Sequence, residues 1–165
     1  MEPTITVRTF DELSAAALYE ILRLRVDVFV VEQNCAYREL DDLDQTALHV
    51  CLFDEDGLAA YLRVLAPVKT GVAAIGRVAS VKRRRGYAAA VLEAGIRAAR
   101  ERFGAKQIRL EAQTYAVSLY EQQGFRTVSA PFLLDGIEHV EMLLDCGASG
   151  RNHNGNPHGG ESSPA

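Results

Sequence analysis

Apolar residues recur along the first third of the chain in two different periods. Ile5-Thr6-Val7-Arg8 alternates apolar and polar side chains, the spacing of a half-buried strand. Leu13, Ala17, Ile21, Leu24 and Val28 then return every three or four residues, which lays one apolar stripe along a helix running to about Val31. In front of it, Thr9-Phe10-Asp11-Glu12 fits a capping box, with Thr9 as N-cap and Glu12 three residues on. Residues 32–47 follow as a long polar connection, and unstructured stretches of that length in compact domains are often functional.

The pattern then shortens. Residues 47–53 and 58–65 read as strands around the hairpin signal Asp54-Glu55-Asp56-Gly57, and 73–80 as a third. Lys82-Arg83-Arg84-Arg85-Gly86 opens a second helix from Tyr87 to about Phe103, which Gly104 stops. A strand over 107–113, a short helix over 117–123 closed by Gly124, and a last strand pair (125–128 and 137–144) around Leu134-Asp135-Gly136 complete the chain. The order β-α-β-β-β-α-β-α-β-β predicts an α/β fold, a mixed central sheet with helices on both faces.

Composition narrows the classes. The chain has 165 residues, enough for one domain with a core and a pocket. A net charge of −4 argues against a nucleic-acid partner. No run of about 18 apolar residues exists, so neither a membrane span nor a membrane partner is expected. The acidic start Met1-Glu2-Pro3-Thr4 does not have the pattern of a signal peptide. Cys35, Cys51 and Cys146 are widely spaced without any Cys-x-x-Cys, which reads as reduced thiols in a cytoplasmic protein rather than a zinc site. After Cys146 the chain turns to Gly, Asn, His and Ser, so a domain over 1–146 is expected to carry a disordered tail over 147–165. His153 and His158 in that tail read as incidental polar residues, and no metal is expected.

The sharpest local chemistry is Arg83-Arg84-Arg85-Gly86-Tyr87-Ala88, between a strand and a helix. The first N–H groups of a helix lack intrahelical partners, and the helix dipole adds positive potential there. Small residues at 86 and 88 let a phosphate approach the backbone, and arginines supply bidentate donors. Neither a nucleotide P-loop nor a dinucleotide fingerprint is present, so the expected ligand is a pyrophosphate of another kind. A solvated arginine-rich loop is the alternative on these residues alone. Further on, Ala116-Val117-Ser118-Leu119-Tyr120-Glu121-Gln122-Gln123-Gly124-Phe125 puts Tyr120 on a short helix that Gly124 ends. Taken alone, Tyr120 reads as a packed amphipathic aromatic.

Together, at this spacing, the two segments resemble the GNAT superfamily of acetyl-CoA-dependent N-acetyltransferases. Arg83-x-x-Gly86-x-Ala88 is similar to its pyrophosphate motif, and Ala116 to Phe125 to its Ala-x-x-x-Tyr-x-x-x-Gly-Phe segment. Within it the chain resembles the ElaA-like branch through Leu24-Arg25, the block Val28 to Cys35 with Tyr37, and Asp41, Asp44 and His49. Gly76-Arg77-Val78, Ala112-Gln113 and Gly136-Ile137-Glu138-His139 add to that likeness.

The resemblance implies a GNAT-like acyl-CoA N-acyltransferase fold, with acetyl-CoA as co-substrate and direct transfer to a small-molecule or peptide amine acceptor. It implies that backbone at Val78, with Ser80 in reserve, binds the pantetheine arm and thioester carbonyl. Arg83, Arg84, Arg85, Gly86, Tyr87 and Ala88 would hold the pyrophosphate. Tyr120 would protonate the leaving thiolate. An amine acceptor must first lose a proton, so a base is wanted. Glu32, His49, Glu111 and His139 are candidates, and Glu32 ranks first for its place where the long helix meets the long loop. Glu39, Asp41, Asp42 and Asp44 form an acidic loop that either attracts a cationic amine or is simply solvated. Cys35 reads as a small packed or substrate-side residue. Arg25-Val26-Asp27-Val28-Phe29 also fits the related acyl-homoserine-lactone synthases, and a non-catalytic acyl-CoA-binding regulator is the reading outside enzymes. A homodimer is a reasonable assembly to expect, since homodimers are the commonest.

Overall fold

The computed structural model describes residues 2–147. The expected tail, with His153 and His158, lies outside the described residues from 148 onward.

The strands are β1 (Thr4–Thr9), β2 (Leu48–Asp54), β3 (Gly57–Lys69), β4 (Val72–Ser80), β5 (Gln107–Gln113), β6 (Arg126–Thr127), β7 (Phe132–Leu134) and β8 (Ile137–Asp145). They form one mixed sheet in the order β1-β2-β3-β4-β5-β8-β6, with β7 paired on β8. Every pairing is antiparallel except β4 with β5. Helix α1 (Ala15–Arg25) covers one face and α2 (Tyr87–Phe103) the other, as the sequence predicts; α3 (Val117–Glu121) follows β5.

The two faces follow from alternation along β2 and β3. Val50, Leu52, Leu62 and Val64 point into the larger core with Val91, Leu92 and Ala99 of α2. Cys51 and Tyr61 point the other way, against Ile21 and Leu24 of α1. α2 lies so close to the sheet that a Cβ on Gly95 would come 2.8 Å from Leu62 Cδ1.

Two local expectations are corrected. Thr9 and Glu12 do make their hydrogen bonds, Thr9 N and Oγ1 both donating to Glu12 Oε1 at 3.1 and 2.9 Å, but they close a single 3-10 turn over Phe10–Glu12. α1 starts later, with Ser14 Oγ accepting from Ala17 N, because Leu13 is extended and interrupts the helix. The last strand pair is also different. β6 is only two residues long and joins β8 near its far end, opposite Leu143 and Met142. The partner of β8 across the Asp135-Gly136 turn is the extra strand β7.

Beyond Arg25 the first helix does not stop. It loosens into a π-helix over Val26–Glu32, which carries its side chains toward the far end of β5. π-type turns often mark functional sites.

Candidate active site

The site begins as a failure of strand pairing. β4 and β5 pair only between Val72–Ala74 and Gln107–Arg109, and then diverge. Where they part, β4 also bulges away from its other neighbour. Tyr61 faces Ala79 and Arg63 faces Gly76, so Arg77 and Val78 oppose a single residue of β3. Arg77 absorbs the extra residue with a left-handed φ of 53°. Arg77 and Val78 consequently have no ladder partner on either side, whereas Ser80 pairs with Ala60.

A cavity of about 830 Å³ opens in this gap. Val78, Ser80, Arg83, Ala88, Tyr120, Glu32, Glu111 and His139 all line it. The sequence therefore picked out residues from five separate segments that the fold brings to one space.

Gly86 is the N-cap of α2 with φ 73°, a left-handed conformation that costs glycine little. Ala90 N donates to Gly86 O, so the N–H groups of Tyr87, Ala88 and Ala89 precede the first intrahelical bond. A Cβ on Gly86 would meet nothing within 4 Å, so the approach to these donors is open. The neighbouring arginines divide. Arg83 lines the cavity, while Arg84 and Arg85 are exposed outside it. Tyr87 contributes backbone only, since its hydroxyl turns away to donate to Asp54 Oδ2 at 3.1 Å. The loop is anchored by Lys82, whose ammonium donates to Asp54 at 2.5 Å and Asp56 at 2.7 Å. Those two carboxylates and Glu55 are the one metal-like acidic cluster among the described residues, and Lys82 already supplies its cation.

Tyr120 is 7% exposed and packs edge-on against Phe125, and its hydroxyl makes no hydrogen bond among the described residues. Burial pushes its phenol above the ordinary value, so it stays protonated through the neutral range.

The acidic loop does not face the cavity as a free anionic lure. Arg25, fully buried, donates to Glu39 at 2.5 Å and to Asp44 at 2.7 Å. Arg63 donates to Asp41 at 2.5 Å and Asp44 at 3.0 Å, and Arg77 reaches Glu39 at 3.1 Å. Tyr37 also donates to Glu39. Three acids are thus matched by three arginines in one cluster; only Asp42 remains exposed outside it. The hydrogen bond from Arg63 holds the Asp41 carboxyl down at about 2. Burial opposes ionisation of Asp44, but Arg25 and Arg63 outweigh it and keep that carboxyl low. Pairing to internal cations thus takes the place of both alternatives the sequence left open, attraction of a cationic amine and a solvated loop.

His49 belongs to the same cluster and is excluded as a base. Its Nε2 lies 2.9 Å from the Asp44 carbonyl and must donate; its Nδ1 accepts from the Tyr61 hydroxyl at 2.7 Å. Both nitrogens are used, and burial lowers its affinity for a second proton. Glu32 and Glu111 are exposed at the cavity, while His139 is 8% exposed there. Cys35 sits on the same side, its thiol 3.4 Å from the Asp135 carbonyl. Sequence reasoning missed the tie between Gln33 and Gln113 and the roles of Arg25, Arg63 and Arg77. Charged residues inside apolar runs, Arg25 after Leu24 and Arg63 between Leu62 and Val64, were the available signal.

The family model for the acetyltransferase (GNAT) domain matches residues 15–146. A UPF0039 protein of Schizosaccharomyces pombe is 39% identical over 140 residues, covering 82% of this chain and 93% of that protein. The crystal structure of an acyl-CoA N-acyltransferase from Pseudomonas aeruginosa superposes with a TM-score of 0.79 at 35% identity, covering 86% and 99% of the two chains. That of Escherichia coli ElaA gives 0.81 at 30% identity, covering 87% and 100%. A CoA-dependent acyl-homoserine lactone synthase superposes at 0.72 but with 16% identity, a likeness of fold alone. The fold is that of the acyl-CoA N-acyltransferases, and the chain belongs to the GNAT acetyltransferase family, in its ElaA-like branch.

Proposed function

We propose that the protein transfers the acetyl group of acetyl-CoA directly to a primary amine on a small molecule or peptide. The observation that carries this is the divergence of β4 from β5 with unpaired backbone at Arg77–Val78, opposite the open N-terminus of α2. A pyrophosphate fits the free N–H groups at Tyr87 to Ala89 with Arg83 beside them. Arg84 and Arg85 act on it at longer range, through solvent. Backbone at Val78 takes the pantetheine arm and thioester carbonyl, with Ser80 kept to its ladder.

When bound, acetyl-CoA supplies an activated acetyl carbonyl. An amine attacking it builds negative charge on oxygen, and a fixed donor at Val78 stabilises that charge. Tyr120 gives its proton to sulfur as the carbon–sulfur bond breaks, then takes the proton that the new amide nitrogen loses. Glu32, at the mouth, offers a carboxylate to the incoming ammonium. No metal enters this scheme. Three unpaired cysteines fit a cytoplasmic setting.

The test is calorimetric titration with acetyl-CoA, followed by coenzyme A thiol release with a panel of primary amines. Micromolar binding with amine-dependent thiol release is the expected result. Binding without turnover favours an acyl-CoA-binding regulator of the same fold, and no binding by folded protein overturns the reading.

A further inference from the structure

We propose that His139 is the general base of this site, accepting the acceptor's proton on Nε2. The inference rests on the acetyltransferase reading above and adds the residue that makes the amine reactive.

The geometry fixes the ring's tautomer. His139 Nδ1 lies 2.7 Å from the carbonyl oxygen of Ile137, two residues back on the same strand. A carbonyl only accepts, so Nδ1 carries the hydrogen, and in the neutral ring the lone pair is left on Nε2. The ring is also immobilised. It stacks on Phe132 at 6.1 Å and 22°, and the backbone of His139 is paired with Gln113 on one side and Phe132 on the other. It is 8% exposed yet lines the cavity that Tyr120 also lines. A base held in one tautomer, largely out of solvent and facing the reacting space, is what proton removal from an ammonium requires.

Its rivals are less well prepared. His49 has both nitrogens engaged, and Glu32 and Glu111 are exposed carboxylates that water solvates. In the reaction, one ammonium proton passes to Nε2 and the neutral nitrogen forms the carbon–nitrogen bond. Tyr120 protonates the departing sulfur and is restored by the second N–H proton. The imidazolium then discharges to water, so each turnover releases one proton.

Two measurements test this. Nitrogen-15 NMR on histidine-labelled wild type should find that the neutral form of the His139 ring carries its proton on Nδ1; a proton on Nε2 in that form overturns the proposal. Thiol release is then followed with acetyl-CoA and n-butylamine, spermidine or tyramine as acceptor. His139→Gln should lower kcat/KM by roughly 10²- to 10⁴-fold at pH 7, with acetyl-CoA affinity unchanged. The deficit should shrink as pH rises and the amines lose their proton unaided. Asp27, Glu32, Cys35, Tyr37, Glu111, Tyr115, Tyr120 and Asp135 also line this cavity, as do the charged Arg63, Arg77, Arg83 and Arg109. The wild-type and His139→Gln profiles are therefore compared as a difference. An equal deficit at every pH, or undiminished activity, overturns the assignment. If the variant does not fold, the wild-type tautomer decides alone. A wild type that binds acetyl-CoA but releases no thiol with any amine overturns the acetyltransferase reading, and the base with it.

Discussion

Gln33 and Gln113 stand 80 residues apart in sequence and exchange two side-chain hydrogen bonds, each 3.2 Å long. Each amide donates through its nitrogen and accepts through its oxygen, so the π-helical end of the first helix is tied to the tip of β5 across the cavity. Gln113 is also the cross-strand partner of His139. The pair therefore sets the wall that carries Glu32 relative to the wall that carries His139.

Gln113→Leu removes both hydrogen bonds and leaves Gln33 half-buried without a partner. A cost of about 1–2 kcal/mol in stability follows. Because the pair lies on the acceptor side, KM for the amine should rise while acetyl-CoA affinity, read by calorimetry, stays within twofold. A parallel loss of acetyl-CoA binding would show that the tie organises the whole cavity.

Tyr120→Phe keeps the packing against Phe125 and removes only the hydroxyl. We expect turnover to fall by about 10- to 10³-fold at unchanged acetyl-CoA affinity. Since burial raises the phenol's pKa, the wild-type rate should show no loss from Tyr120 ionisation as pH climbs to about 10, the ordinary tyrosine value. Thiol release across pH 7–10 checks both statements, and unchanged turnover in the variant removes Tyr120 from the mechanism.

Gly86→Glu puts an anion beside the free N–H groups of α2 and forces a side chain onto a φ of 73°. Gly86→Ala separates the two effects, because its Cβ enters open space and only the conformation is strained, at about 1–2 kcal/mol. Alanine should lower the melting temperature modestly with near-normal acetyl-CoA binding. Glutamate should weaken binding more than tenfold beyond that, as titration calorimetry will report.

Asp41 contributes to stability through the proton it does not hold. Its folded pKa, about 2, lies below the ordinary 3.8, so the folded state favours the ionised carboxylate. That stability is present above about pH 4 and is lost as pH falls toward 2, a contribution of about 2 kcal/mol. Asp41→Asn should lower stability at pH 7 by at least this amount, since Arg63 then loses a charged partner, and should flatten the decline between pH 4 and 2. Urea denaturation at several pH values measures the difference.

The elements were legible because their signals are local. Alternation marked β2 and β3, the stripe Ile21, Leu24 and Val28 marked the first helix, and Gly86 and Gly104 bracketed the second. Arg83-x-x-Gly86-x-Ala88 and Tyr120 were legible for the same reason, being short motifs at strand and helix ends. β7 was missed because three residues, two of them exposed, give no period to read.

By itself, the sequence determined the α/β order, the arginine-flanked glycine start of the second helix and the family the chain resembles. Only tertiary structure decided what the block from Arg25 to His49 does. As a sequence its acids read equally as a substrate lure or a solvated loop; in the fold, Arg63 and Arg77 arrive from β3 and β4 and pair with Glu39, Asp41 and Asp44. Only tertiary structure, likewise, parted β4 from β5 and set His139 at the cavity with its Nδ1 on the Ile137 carbonyl. The reason is physical. Periodicity and capping depend on neighbours a few residues apart, whereas charge pairing, strand divergence and a histidine's tautomer depend on partners that only the completed fold brings within a few ångströms.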